Sequence, residues 1–384
     1  MRVPFGSLDA DYRRRSAEID AAIARVLSRG RFILGEEVES FERELAAHLG
    51  ISRVITCASG TDAIAIALLA AAARPDDDVL LPANACVPVI AGVRLAGARP
   101  RLADVDPGSL TLSREQAERA LGPGVRFLLA VHLYGGLADV GGLRELARER
   151  GIVLLEDCAQ SLGASAQGLP AGTFGSAAAF SFYPTKNLGA YGDGGAVATE
   201  DATIARNAGR LRQYGWSRRD FSEVEGRNSR MDELQAAILR AKLPFLESDN
   251  DRRRAIARRY DEALGDLPLL FLRARPGSIS APHLYPVRTG ARDALRDHLS
   301  MRGIETAIHY PVPLHLQPAY AFLGHAPGDF PAAEEACRTV LSLPIYPTLA
   351  DEQVEIVVSA VRDFFGSTLL TPTLPPEGRA RRGR

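Results

Sequence analysis

Apolar residues recur at helical spacing along the first fifty positions. Ile19, Ile23, Val26 and Leu27 share one face of a stretch from about Asp11 to Arg29, which Gly30 ends. Val38, Phe41, Leu45 and Leu49 do the same from Glu36 to Gly50. The pattern then changes. Val54-Ile55-Thr56-Cys57, Val79-Leu80-Leu81, Phe127 to Val131 and Ile152 to Leu155 are short unbroken apolar runs. Helical patterns at 62–73, about 86–96 and 139–150 alternate with them. Buried strands alternating with helices predict an α/β fold with a mostly parallel central sheet covered by helices on both faces.

Past residue 186 the texture shifts again. Helices are expected over 201–213 and 230–243, with Pro244 interrupting the second, and a charged helix over about 247–264. Proline-marked breaks and short strands follow. The expected organisation is a large domain over 1–245 with an N-terminal helical segment, and a smaller α+β C-terminal domain over 246–366. Residues 367–384, from the prolines around Thr373 to the arginines at the end, have little to pack and are expected to be a disordered tail.

Composition narrows the partners. Among 384 residues, 46 Lys and Arg against 47 Asp and Glu leave a net charge of -1, so no global field favours nucleic acid or an anionic membrane. A phosphate-bearing ligand must therefore be gripped locally. The four cysteines lack both CxxC and Cys/His ligand spacing, which argues against a disulfide framework or a metal site and for a reduced, cytoplasmic protein. The longest apolar run, Ala63 to Ala73, is too short to span a bilayer.

In sheets of this kind ligands gather beyond the carboxyl ends of the strands. Ser59-Gly60-Thr61, His132 and Asp157 fall at such ends. The stretch Ser181 to Gly189, followed by Gly192-Asp193-Gly194-Gly195, sets Lys186 among aromatic residues and glycines. An enclosed lysine is costly unless paired or neutralised, and an imine with a carbonyl cofactor neutralises it. On that window alone, a surface lysine on a Gly-rich turn is an equal reading. Asp157 could hold the charge on a protonated pyridine nitrogen or simply cap the next element. Gln160, one turn further on, could reach a ring hydroxyl. Gly60 and Thr61 could cradle a phosphate at a helix N-terminus or belong to an ordinary cap, and Ser181 could add a hydroxyl. The polar run from Gly226 through Asn228 to Glu233 opens a helix or edges a site. His309-Tyr310-Pro311 reads as a substrate rim or a rigid turn.

Taken together, Gly30 to Val38, Ser59 to Ala63, Val131 to Gly135, Glu156 to Gln160, Ser181 to Leu188 and Asn228 to Ala237 resemble the DegT/DnrJ/StrS nucleotide-sugar aminotransferases. These are fold-type-I enzymes that use pyridoxal 5'-phosphate, and the likeness runs from about Val3 to Phe365. It implies that Lys186 is the Schiff-base lysine, that Asp157 faces the pyridine nitrogen, and that Gln160 contacts the ring oxygen. It further implies that Gly60, Thr61 and Ser181 hold the phosphate. Asn228 is expected to reach that phosphate from the neighbouring subunit, which makes a homodimer, while His309 and Tyr310 are expected to bind substrate. One position departs. Many relatives place an aromatic residue that stacks on the ring where this chain has Cys86, which is polarisable but offers no ring face.

The implied reaction is ping-pong, with pyridoxamine phosphate carrying the amino group from L-glutamate to a keto-sugar nucleotide and Lys186 moving the proton. His132 to Gly135 and Lys242 to Leu246 resemble members that act on 3-keto sugars, so a dTDP-3-keto-6-deoxyhexose in amino-sugar biosynthesis is expected. The alternatives are a 4-keto-sugar or cyclitol-ketone aminotransferase, a sugar dehydratase, and a regulatory protein that binds the cofactor without turnover. Relatives of the dehydratase type carry histidine in place of the lysine.

Overall fold

The computed structural model describes residues 2–369. Two helices, α1 (Leu8–Arg13) and α2 (Ser16–Arg29), stand where a single one was expected over 11–29. The break has a cause. Arg15 leaves the helical region at φ -135 and ψ 18, and its buried guanidinium bonds Asp249 at 2.8 Å while lying 4.5 Å over the Phe245 ring. Helix α3 (Glu36–Leu49) follows as predicted.

Seven strands build the central sheet: β1 (Arg53–Cys57), β2 (Asp78–Pro82), β3 (Arg99–Ala103), β4 (Val125–Val131), β5 (Val153–Asp157), β6 (Ala177–Ser181) and β7 (Gly195–Thr199). Their order is β1-β7-β6-β5-β4-β2-β3, and β7 alone runs against its neighbours. The sheet is mostly parallel, as the pattern required. Strands β3, β6 and β7 were not among those expected. Ala177-Ala178-Ala179 and Gly195-Ala196 have weak strand preference, yet they are buried where α4 (Gly60–Ala70) packs across β6 and β7. Small side chains let the helix come close.

The remaining helices of the sheet are α5 (Val87–Leu95), α6 (Arg114–Ala120), α7 (Val140–Arg150), α8 (Ala202–Leu211) and α9 (Glu233–Lys242). Alternation along β4 shows how both faces are covered. Phe127, Leu129 and Val131 join the apolar cluster under α4, α5 and α8, whereas Leu128 and Ala130 join the one under α6 and α7.

Helix α10 (Leu246–Leu264) belongs to two clusters. Leu246 packs with α3 and α9, while Ile256, Tyr260 and Leu264 enter a separate core. That core is completed by strands β8 (Leu270–Phe271), β9 (Tyr285–Arg288) and β10 (Val340–Leu343), an antiparallel sheet in that order, with α11 (Arg292–Met301). Helix α12 (Pro331–Thr339) packs back on the main core through Ala333 and Ala336, and α13 (Asp351–Leu369) closes the smaller one. Val3 joins the smaller core by pairing with Ile304. Of the expected tail, 367–369 continue α13, and 370–384 lie outside the described residues.

Candidate active site

Ser59 caps α4, its hydroxyl accepting the Asp62 amide at 3.1 Å. The amides of Gly60 and Thr61 donate to no protein group among the described residues, as expected at a helix start. Helix α4 sits directly on the ends of β6 and β7. A Cβ at position 60 would lie 2.6 Å from Ser181 Cβ and 3.1 Å from its hydroxyl oxygen, and one at Gly195 would lie 2.3 Å from the Ser59 carbonyl. Only glycine permits both approaches. The result gathers two free N–H groups and the Ser181 hydroxyl at the positive end of a helix, a suitable seat for a phosphate.

Asp157 ends β5 and is buried, with Oδ1 accepting the Ala159 amide at 3.0 Å. Burial raises its pKa, and the Ala159 amide and the charge of Lys186 oppose that rise. Lys186 sits in the turn after β6, its amide bonded to the Tyr183 carbonyl at 2.8 Å. Its side chain is half-buried. Enclosure lowers its pKa, which favours the neutral amine, while Cys86 and Asp157 pull the other way. A buried acid and a half-buried amine are thus electrostatically coupled at neighbouring strand ends, each moderating the other's desolvation.

The Cys86 position is tied to that pair. Its thiol is pushed up to about 11 by burial and by Asp157, and it is electrostatically coupled to the Tyr310 hydroxyl. The same hydroxyl accepts Gln160 Nε2 at 3.0 Å, and Gln160 Oε1 accepts the Tyr134 amide at 2.7 Å. Tyr134 in turn donates its hydroxyl to the His309 carbonyl. Tyr310, Gln160, Tyr134 and His309 are therefore joined in one network beside Cys86, although they come from widely separated segments. The His309 ring stacks on Phe5 at 5.7 Å and bonds the Ser342 hydroxyl at 3.0 Å.

The neighbouring carboxylate does different work. Glu156 accepts the amides of Gly172, Phe174 and Gly175 at 2.7–2.9 Å, and meets His132 Nε2 at 3.0 Å. Because His132 Nδ1 accepts the Ala138 amide at 3.1 Å, its proton belongs on Nε2, facing Glu156. His132, Glu156 and Cys158 come within ligating distance of one another. The histidine nitrogens and the Glu156 oxygens are already engaged by protein groups, so the cluster serves as a strut under the site.

Beside Lys186 opens a cavity of about 510 Å³ that includes His309, Tyr310 and Gln160 but not the Gly60–Ser181 seat. Phe5, Lys242, Arg253 and His283 also line it. Sequence reasoning gave Phe5, Arg253 and His283 no role and quoted Lys242 only within the run to Leu246 that resembles 3-keto-sugar enzymes, since their approach to Lys186 depends on contacts far apart along the chain. Asn187, next to the lysine, carried the only local signal; it bonds Asn250 at 2.8 Å and His283 at 3.2 Å. Asn228 is not brought to the cavity. It is exposed and accepts Arg230 Nε at 2.9 Å, while Ser229 beside it reaches the Ala58 amide and Asp62.

The pattern of the DegT/DnrJ/EryC1/StrS aminotransferase family matches residues 13–362. Over 366 residues the chain is 46% identical to the dTDP-3-amino-3,4,6-trideoxy-alpha-D-glucose transaminase of Streptomyces venezuelae, covering 94% of this chain and 96% of that one. The crystal structure of S. venezuelae DesV superposes with a TM-score of 0.93 at 45% identity, over 94% of this chain and 98% of the other. Bacillus subtilis NtdA with bound cofactor PMP superposes at 0.89 and 29% identity, over 95% and 85% respectively. The free amides above Ser181, the buried carboxylate of Asp157 and the amine of Lys186 make a donor set that fits such a cofactor.

Proposed function

This chain belongs to the DegT/DnrJ/EryC1/StrS aminotransferase family, and from that premise we propose that it moves an amino group from L-glutamate to a dTDP-3-keto-6-deoxyhexose. It is an aminotransferase that uses pyridoxal phosphate. The observation that carries the fuller reading is the Lys186–Asp157 pair: burial pushes the amine down and the acid up at one end of the parallel sheet.

Bound there, pyridoxal phosphate supplies a conjugated electron sink for the bond broken at the amino-bearing carbon. The chain supplies the rest. The Gly60 and Thr61 amides and the Ser181 hydroxyl would hold the phosphate. Asp157 offers the buried negative charge that a protonated ring nitrogen requires. Lys186, whose pKa enclosure lowers, would be the group at the site that holds and moves the proton of the amino-bearing carbon. Gln160, held by Tyr134 and Tyr310, would orient the ring oxygen, and Cys86 would stand in for the aromatic side chain that many relatives place against the ring. His309 and Tyr310 wall the acceptor cavity, in which enclosure limits access of water.

The identity to a dTDP-3-amino sugar transaminase supports the 3-keto acceptor. The apolar side chains of Phe5, Leu284 and Ile345 along the cavity suit a deoxygenated hexose. A homodimer, with Asn228 completing the partner's phosphate seat, is supported by the exposure of Asn228 and of Tyr183, which is 52% exposed beside the lysine. The separate core around α10, α11 and α13 supports a two-domain division near residue 245. A cytoplasmic setting accords with four free cysteines and with no described helix being long and apolar enough to cross a membrane.

The test is spectroscopic. Protein loaded with pyridoxal phosphate should show a visible band that L-glutamate abolishes and a dTDP-3-keto-6-deoxyhexose restores. No band refutes the Lys186 assignment, a band indifferent to glutamate refutes the donor, and faster restoration by 4-keto than by 3-keto sugars refutes the regiochemistry.

A further inference from the structure

Lys242 is a buried lysine that the proposed chemistry leaves unused. At the end of α9 its ammonium donates to the Gly189 carbonyl at 2.7 Å, three residues beyond Lys186, and pairs with Asp11 on α1 at 2.9 Å. It also lies 5.1 Å over the Tyr191 ring, and its side chain is 6% exposed.

Asp11 belongs to a strap. At one end of it the Val3 amide and carbonyl bond Gly303 and Glu305, each at 2.9 Å. The Phe5 amide donates to the Glu305 carboxylate at 3.1 Å while its ring covers His309. Residues 5–8 and Asp11 then roof the cavity beside Lys186. At the other end Arg14 and Arg15 hold Asp249 on α10 at 2.9 and 2.8 Å. The roof is thus fixed to the smaller core and to α10, and the Asp11–Lys242 pair leads from it to the loop that carries Lys186.

We propose that Lys242 is a positioning residue that, through Asp11 and the Gly189 carbonyl, sets the roof of the acceptor cavity and the Lys186 loop in register. The inference rests on the reading of Lys186 and of the cavity given above. The two sides of the pair are unequal. Asp11 keeps Arg14 and Arg15 when Lys242 is lost, at 2.7 and 3.2 Å, so its charge stays compensated. Lys242 keeps the Gly189 carbonyl when Asp11 is neutralised, so the lysine loop stays held while the roof is released. Loss of Lys242 frees both.

The variants Asp11→Asn, Lys242→Met and Lys242→Arg, each loaded with pyridoxal phosphate, test this by steady-state kinetics and hydrogen exchange. Asp11→Asn should raise KM for the keto sugar by roughly tenfold with kcat held within about twofold. Lys242→Met should lower kcat as well, by roughly tenfold, and Lys242→Arg should recover most of that loss. Exchange should rise over 3–13 in both Asp11→Asn and Lys242→Met, and over 186–191 only when Lys242 is removed. Unchanged KM in Asp11→Asn overturns the inference. So does faster exchange in Lys242→Met spread evenly over 285–288 and 340–343, which would make the lysine merely structural. If Lys242→Met does not fold, the KM of Asp11→Asn decides alone. A wild-type chain without a cofactor band overturns the functional reading instead, and is seen before any variant is compared.

Discussion

Gly60 and Ser181 touch only because one of them has no side chain: a Cβ at position 60 would stand 2.6 Å from that of Ser181 and 3.3 Å from its Cα. Gly60→Ala must therefore lift the first turn of α4 off β6 and open the phosphate seat. Pyridoxal phosphate should bind roughly tenfold more weakly or worse, measured by titrating the apo protein. Gly209→Ala in α8, where nothing lies within 4 Å, should leave that affinity alone and add about 0.5–1 kcal/mol of stability. Equal cofactor affinities in the two variants would show that α4 does not hold the phosphate.

Glu156 and Asp157 are adjacent and should fail differently. Glu156→Gln turns an acceptor of three backbone amides and a histidine into a group that can no longer accept them all, at a cost of roughly 3 kcal/mol or more. Thermal unfolding should register that cost. Asp157→Asn keeps an acceptor for its single amide and should fold normally, yet lose roughly a hundredfold in kcat. Normal stability in the first variant, or normal turnover in the second, would reverse the division of labour.

Tyr310→Phe removes the hydroxyl that accepts Gln160 Nε2 beside the Cys86 thiol. Leaving Gln160 half-satisfied should cost about 1–2 kcal/mol. It should also shift the visible absorption of the bound cofactor, because the amide that orients the ring oxygen is released. A shift in KM for sugar with an unaltered spectrum would make Tyr310 a substrate contact alone.

What the sequence disclosed and what it hid follow from one distinction. Lys186, Asp157 and Ser59-Gly60-Thr61 are set by local rules, a polar residue or a glycine at the end of a buried strand, so their places could be read from the chain. Phe5, Lys242, Arg253 and His283 reach the same cavity through long-range packing, which leaves no periodic trace. The Gln160–Tyr310 bond closes across 150 residues, so the partner of Cys86 was invisible even though its departure from the aromatic pattern was plain. Strands β6 and β7 escaped because Ala177-Ala178-Ala179 and Gly195-Ala196 are selected for the closeness of α4 rather than for strand preference. The break between α1 and α2 escaped because Arg15 answers to Asp249 and Phe245, far along the chain.

Stability should fall on acidification in a defined window. Burial, reinforced by the charge of Lys186, lowers His309 from 6.5 to about 4 and puts His283 well below its ordinary value. Between those limits the unfolded chain binds protons that the folded chain refuses, so stability is present at neutral pH and is lost as pH drops through the interval. For His309 the loss should be on the order of 2 kcal/mol after allowance for solvent screening. Urea unfolding at pH 7 and pH 5 measures it, and His309→Gln should shrink the difference. The same difference in that variant would place the effect elsewhere.

The central claim is that Lys186 carries the cofactor. Borohydride reduction of protein loaded with pyridoxal phosphate, followed by peptide mass mapping, tests it most directly. A single phosphopyridoxyl adduct on Lys186, absent when L-glutamate is added first, is the result expected. An adduct on Lys242, the one other lysine in the sequence, or none at all, would contradict it.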